Sequence, residues 1–472
     1  MTDWFASREV RARVRAQDRL RAHAWPRDLL ALLAELRRGG GRALLVGGSV
    51  RDVLLVRAGD RAFDVSSSLR PEEVRQRFDS VDPIGEVHGT MLVRRGEVAV
   101  ECTTFRREGD YSDARHPDSV WFTNDPEEDL DRRDLTVNAM AFDPESGELL
   151  DPHGGALDLE RRRLRAVGLA RDRFHEDALR PLRVARFAAV LGFEVEGETR
   201  RALGCALDRS ALVAPERVRV ELEKLMGAPE PSIGFELLRE AGLLALWLPE
   251  LAECRGVPQN RFHAHDVYFH LLHSTDAARA DDPVVRWAVL LHDIGKPATR
   301  AEKPNGEGTF YNHEVIGATL ADGILRRLRF SNPFREQVVH LVREHMFDYR
   351  PGWSDAALRR WLRRVGVDHV ARLFDVRIAD CLGNGRKGFP DDLDAMAVRI
   401  DALLAESSAL DVSDLAIDGR DVMNALAIAP GPLVGEALER LLEAVIEDPA
   451  VNVREKLLAK LSAMRAEKGD MA

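Results

Sequence analysis

Residues 47–68 of this 472-residue chain read GGSVRDVLLVRAGDRAFDVSSS, and their reading decides the fold. The apolar run Ala43-Leu44-Leu45-Val46 stops at Gly47-Gly48, which predicts a strand entering a tight turn. A helix is expected next, then a second strand near 61–65. Glycines at such a turn let the backbone approach a phosphate, and the following helix N-terminus offers unpaired N–H groups and a positive dipole end. Taken alone, the turn is equally an ordinary strand–helix junction. Outward from it, residues 90–105 alternate about Arg95-Gly96-Glu97, the pattern of a hairpin. Residues 1–38 read as helical and amphipathic, and a mixed α/β region ends near 165.

From about 170 onward helical periodicity dominates, as in Leu179-Leu182-Val184-Phe187-Val190 and Val218-Leu222-Leu225, punctuated by Pro215, the 227–231 stretch and Pro258. Histidines crowd into 263–345, and a charged, Leu-rich helical tail runs over 401–472. No run of eighteen apolar residues is present, and the N-terminus is charged from Arg8 onward without a signal-peptide stretch. A cytoplasmic protein is the expectation. Cys102, Cys205, Cys254 and Cys381 form no CxxC pair, which fits buried thiols better than a disulfide framework. A net charge of −11 argues at first against a nucleic-acid partner, but binding needs only a local basic surface. Basic residues do cluster, at Arg161-Arg162-Arg163-Arg165, at Arg180, Arg183 and Arg186, and at Arg359, Arg360, Arg363 and Arg364. Such clusters are more often solvated helix faces than binding surfaces.

The 47–68 stretch resembles the head signature of the polymerase-β-like nucleotidyltransferases, in the branch of the bacterial (class II) CCA-adding tRNA nucleotidyltransferases. That signature carries Asp-x-Asp on its second strand. Residues two apart on a strand share a side, so both carboxylates can grip two Mg2+ ions that activate the primer hydroxyl and neutralise the triphosphate. Here the positions are Ala62 and Asp64. Asp60 lies on the same face but too early in the motif to replace the missing carboxylate, and Glu101 on the hairpin is a candidate third one. Alanine cannot ligate a metal. Either Ala62 is an inactivating substitution of the kind introduced to trap a substrate complex, or the head is degenerate; the remaining head motifs favour the first.

The resemblance extends to nucleotide-binding residues. It assigns Gly47, Gly48, Ser49 and Arg51 at the turn, and Arg132, Arg133, Asp134 and Asn138 in an RRDxxxN motif. Thr104-Phe105-Arg106 and residues 111–118 resemble the family's flexible loop, with His116 where Arg is common. The run from Phe174 to Phe187, FHEDALRPLRVARF, is close to its EDxxR motif, with Arg183 and Arg186 in the same binding set. Helical periodicity puts Asp177 and Arg180 three apart on one face, where the bland reading is an intrahelical ion pair. The resemblance implies instead that they pair with the incoming base as a template would. Cytosine and adenine each present an exocyclic amine beside a ring-nitrogen acceptor; a carboxylate accepts from the first and a guanidinium donates to the second. Uracil and guanine present the reverse pattern. Residues 216–225, 417–423, 430–435 and Asn452 also match, so the likeness covers nearly the whole chain beyond the first forty residues.

His292-Asp293-Ile294-Gly295-Lys296, with His270 upstream and Asp380 downstream, resembles the HD phosphohydrolases. That likeness implies His270, His292, Asp293 and Asp380 as ligands of a divalent metal (Mg, Mn, Ni or Fe), with His313 and His345 needed for a second ion and Lys296 balancing charge or holding phosphate. His263, His265 and His273 read as surface residues.

The expected fold class is therefore α+β: a polymerase-β-like nucleotidyltransferase head, a small mixed sheet with helices, followed by an all-α neck, body, HD domain and tail. The expected division is an N-terminal helical extension (1–38), head (39–165), helical neck and body binding nucleotide and tRNA (166–262), HD domain (263–400) and tail (401–472). The implied function is addition of CCA to the tRNA 3′ end from CTP and ATP. Close alternatives add CC alone or the final A alone; a near full-length 104–118 loop disfavours CC alone. A poly(A) polymerase fits less well, since this tail is mixed in charge and an HD motif is present. From other classes come an HD phosphohydrolase acting on RNA ends with a non-catalytic head, and a non-catalytic tRNA-binding protein. No membrane partner is expected, and nothing in the sequence fixes an oligomeric state.

Overall fold

The computed structural model describes residues 2–57, 63–85, 89–109, 119–260, 264–304, 308–350, 352–385, 390, 392–406 and 409–469. The chain forms two compact units, residues 1–253 with 324–330, and 254–323 with 331–472. No helix among the described residues is long and apolar enough to cross a membrane.

The first unit is built on a seven-stranded sheet. Its strands are β1 (Ala43–Val46), β2 (Phe63–Ser67), β3 (Val81–Gly85), β4 (Thr90–Arg95), β5 (Val98–Thr104), β8 (Ala141–Asp143) and β9 (Glu148–Leu150); β6 (Arg106–Glu108) and β7 (Val120–Phe122) form a separate ribbon. The order is β3-β4-β5-β2-β1-β8-β9, with β2 and β5 parallel and the other neighbours antiparallel. All four residues of β1 are buried, as a strand covered on both faces requires. The expected hairpin turns at Arg95-Gly96-Glu97, and the second strand begins at Phe63.

The N-terminal extension is two helices, Thr2–Ala22 and Arg27–Arg37, because Pro26 starts the second. Leu29, Leu32, Leu33 and Leu36, spaced for one helical face, are fully buried. Downstream, Arg180–Leu191 packs against Pro215–Met226 and Pro231–Glu240.

In the second unit, Val267–Ala277, Pro283–Leu291, Asn332–Glu344 and Val370–Gly383 form a helical cluster. Two glycines set its closest approaches. A Cβ at Gly383 would strike the Ser274 backbone, so Val267–Ala277 and Val370–Gly383 cross in contact. A Cβ at Gly295 would strike His313 O and Gly317 N, so the turn after Asp293 lies directly on His313–Arg327. The tail has its own core around Val422, Leu441, Leu442, Ile446, Leu457 and Leu461. Asn452 ties it, accepting from Ala416 N at 2.8 Å and donating to Asp414 O at 2.9 Å. Of the 359–364 arginines, Arg360 and Arg363 lie on an exposed, ion-paired face, meeting Glu443 with Glu447 and Glu439 respectively, whereas Arg359 is buried and donates to Ile446 O at 3.2 Å.

Candidate active site and metal centre

The Gly47-Gly48 turn makes room for side chains. Gly47 has φ +58°, and a Cβ there would lie 2.8 Å from Arg133 Nη1; at Gly48 it would lie 3.1 Å from Asp64 Oδ2. Only glycine accepts both that backbone and that crowding without strain. Ser49 Oγ accepts a hydrogen bond from Asp64 N at 2.7 Å, fixing the second strand against the turn. Asp64 stands opposite Glu101 in the parallel β2–β5 register. Burial raises the Asp64 carboxyl above its ordinary pKa, against the pull of Arg133; burial and then Asp64 itself raise Glu101. Two carboxylates in register, one of them raised by the other's charge, suit a divalent cation. Ala62 and Asp60 lie outside the described residues, as does the 111–118 segment with His116.

From this turn a polar network runs into the helical region. Arg51 Nη1 donates to Asn138 Oδ1 at 2.6 Å, Asn138 Nδ2 donates to Asp134 Oδ1 at 3.1 Å, and Arg183 meets Asp134 Oδ2 at 2.7 Å. Arg186 pairs with the buried Glu221 at 3.0 Å. Three guanidiniums, of Arg51, Arg183 and Arg186, surround the Phe187 ring, the nearest 4.0 Å from its centroid. Burial, then neighbouring Arg183, pushes Arg186 down to about 10. Arg132 and Arg133 both hold Asp129, which is buried and also accepts from Ser66 Oγ at 3.0 Å.

The expectation that Asp177 and Arg180 share one helical face is corrected here. Asp177 is extended, with φ −125° and ψ 107°, and ends the helix Ala170–Glu176; a new helix begins at Arg180. Pro181 is the cause, since in a continuous helix its ring would clash with the carbonyl of Asp177 four residues back. The two side chains also have separate partners. Asp177 accepts from Arg217 Nη2 at 3.1 Å, while Arg180 meets Glu176 at 2.7 Å and donates to Arg132 O at 2.9 Å. Arg180 still borders the head's Arg-Arg-Asp segment, lying on its backbone, while Asp177 is near enough to Arg183, the partner of Asp134, to help raise its pKa. Arg217, Glu221 and Asp129 were not among the expected site residues. The signal for Glu221 was a carboxylate on the apolar face of Val218, Leu222 and Leu225.

In the second unit, His270, His292 and Asp293 converge, as do Asp293, His313 and His345, so that Asp293 is common to both groups. Asp293 Oδ2 lies 3.4 Å from Nε2 of both His270 and His292, and its Oδ1 lies 3.1 Å from His313 Nε2 and 3.7 Å from His345 Nε2. Asp380 Oδ1 adds a second carboxylate 3.2 Å from His270. Nδ1 of His292, His313 and His345 lies 2.7, 2.8 and 2.7 Å from the carbonyls of Val289, Phe310 and Val342. An Nδ1–H donated there leaves each Nε2 lone pair facing inward, the arrangement of metal-binding imidazoles. Burial lowers the proton affinity of His270, but Asp293 and Asp380 outweigh it and push the group up to about 9. Lys296 Nζ lies 2.5 Å from Asp293. Of the histidines expected at the surface, His273 is exposed, His265 half-buried, and His263 outside the described residues.

Three family models match the chain: the poly A polymerase head domain over residues 43–165, the probable RNA and SrmB-binding site of polymerase A over 192–255, and the HD domain over 262–385. The chain is 34% identical to the CCA-adding enzyme of Geobacillus kaustophilus (strain HTA426), across 92% of its own length and 95% of that protein. It is 37% identical to the A-adding tRNA nucleotidyltransferase of Deinococcus radiodurans, across 85% of this chain and 91% of that one. The crystal structure of the Bacillus stearothermophilus CCA-adding enzyme in complex with CTP superposes with a TM-score of 0.74 at 28% identity, covering 94% of this chain and 98% of that one.

The Asp134–Arg183 pair carries a testable pH signature. Burial pushes the Asp134 carboxyl up, but Arg183 and Asn138 hold it well below the usual carboxylate range. A group depressed in the folded state contributes stability above its unfolded value of about 4 and loses that contribution as the pH falls. Asp134→Asn is therefore expected to cost about 3–5 kcal/mol at neutral pH, with a deficit that shrinks below pH 4. Urea unfolding of both proteins across this range tests it; a deficit independent of pH contradicts it.

Proposed function

The chain belongs to the CCA-adding family of tRNA nucleotidyltransferases, and from that premise we propose that it extends the tRNA 3′ end with C, C and A taken from CTP and ATP. The observation that carries this reading is the continuous polar network from Asp64 and the Gly47 turn, through Asn138 and Asp134, to Arg183 beside Asp177. Asp64 and Glu101, in register and both raised in pKa, fit Mg2+. Bound there, Mg2+ supplies hydroxyl activation and charge neutralisation. Arg51, Arg133, Arg183 and Arg186 hold the nucleotide's phosphates and sugar through guanidinium contacts.

Asp177 and Arg180 read the base, turning from Arg217 and Glu176 to do so. A carboxylate accepting from the exocyclic amine and a guanidinium donating to the ring nitrogen admit C and A and repel U and G. Asp177→Ala is expected to relax this choice, measured as UTP and GTP incorporation; retained rejection of both rules the template role out.

Addition of the final A alone is a second reading, favoured by the 37% identity to an A-adding enzyme. Position 62 governs how either is tested, because the family signature expects Asp there. Ala62→Asp is expected to raise incorporation by orders of magnitude, and unchanged incorporation makes the head degenerate. With tRNA lacking CCA, the restored protein given CTP, ATP or both separates the readings by product length. An A-adding enzyme extends only tRNA that already ends in CC.

The HD centre supports an additional phosphohydrolase activity on cyclic or terminal phosphates at tRNA ends. Its donor set of imidazoles and carboxylates fits Mn, Ni, Fe or Mg, with His270, His292, Asp293 and Asp380 holding one ion and Asp293, His313 and His345 a second. A metal there supplies an activated water. Metal analysis of His313→Ala is expected to show loss of one equivalent per chain, and Asp293→Ala loss of both. Full occupancy in both variants rejects the assignment.

A further inference from the structure

The helix Val267–Ala277 that turns His270 inward carries a row of rings on its outer side. Phe269 and His273, one turn apart, have ring planes 19° from parallel and centroids 6.1 Å apart. His265 continues the row with its centroid 4.7 Å from that of His273, and the Arg255 guanidinium lies 4.5 Å from the Phe269 centroid while paired to Asp266. Packing does not explain the row, because Val267, Tyr268, Leu271 and Leu272 form the buried face while His273 is exposed and Phe269 and His265 are half-buried.

Three features tie the row to the HD centre. His270 shares its helix. Gln259 joins the two sites, accepting from Lys296 Nζ at 2.6 Å and donating to His265 O at 3.3 Å, with Lys296 on Asp293. Gly385, five residues past Asp380, lies so close to His265 that a Cβ would be 2.9 Å from its Nε2.

We propose that His265 and His273 form a nucleobase shelf, stacking the base of a nucleoside 2′,3′-cyclic phosphate or RNA-end phosphate whose phosphorus lies at the HD centre. The proposal rests on the phosphohydrolase reading of that centre. Partly open aromatic rings beside a guanidinium, here the exposed His273 and half-buried His265, are the kind of surface on which unpaired bases stack, and stacking tolerates any base. Hydrolysis of the cyclic ester consumes one water. One bond from phosphorus to a ribose oxygen breaks, that oxygen takes a proton, and the water oxygen remains on phosphorus.

The test uses the full chain with Mn2+ and two substrates, adenosine 2′,3′-cyclic phosphate and the base-free glycerol 1,2-cyclic phosphate. The H265A/H273A double variant is expected to raise KM for the adenosine ester about tenfold, with kcat and glycerol-ester hydrolysis unchanged and His273→Phe restoring KM. Equal loss on both esters, or no loss, overturns the shelf. Titration calorimetry with adenosine 2′-phosphate separates the two claims. If the parent hydrolyses neither ester, the phosphohydrolase reading falls, while tenfold weaker binding by the double variant upholds the shelf. Binding that is absent or unchanged overturns it.

Discussion

The contact on which the proposed nucleotide site depends is the pairing of Asp134 with Arg183. It joins the end of the head's Arg-Arg-Asp run to the helix Arg180–Leu191, and Asp134 is 6% exposed. A buried carboxylate is tolerable only when its lone pairs are met, and Asn138 and the Leu135 N–H supply the remaining partners. Asn138 in turn holds Arg51 at the Gly47 turn. The strand–turn–helix unit and the helical region are thus joined by one continuous polar chain, with separate contacts such as Arg180 to Arg132 O and Arg57 to Val190 O beside it.

Much of this was legible in the sequence because it is local. The buried strand Ala43–Val46, the hairpin at Arg95-Gly96-Glu97 and the leucine stripe from Leu29 to Leu36 follow from period and turn chemistry. The break between Asp177 and Arg180 was also written there, in Pro181, but periodicity across Leu179, Leu182 and Val184 outweighed it in the reading. Partner choice was not legible. Nothing local says that Asp177 meets Arg217 forty residues on, or that Glu221 turns inward to Arg186. Those pairings exist only once three helices have packed.

The arginine clusters show the same divide. Arg163 and Arg165 both close on Asp158, which is fully buried, and Arg360 and Arg363 line the tail helix Pro432–Glu447. Arg51, Arg183 and Arg186 instead gather around a single phenyl ring. Composition treats all these groups alike; only packing distinguishes arginines paired along a helix from arginines that, each paired to a carboxylate, also converge on one ring.

The carbonyls of Val289, Phe310 and Val342 have a consequence beyond holding three rings in place. Each lies three residues before its histidine in the same stretch of chain, so local backbone geometry alone aims the three Nε2 atoms. For these three rings the rotational ordering is supplied by the fold itself, so a metal bound there would meet imidazoles already oriented.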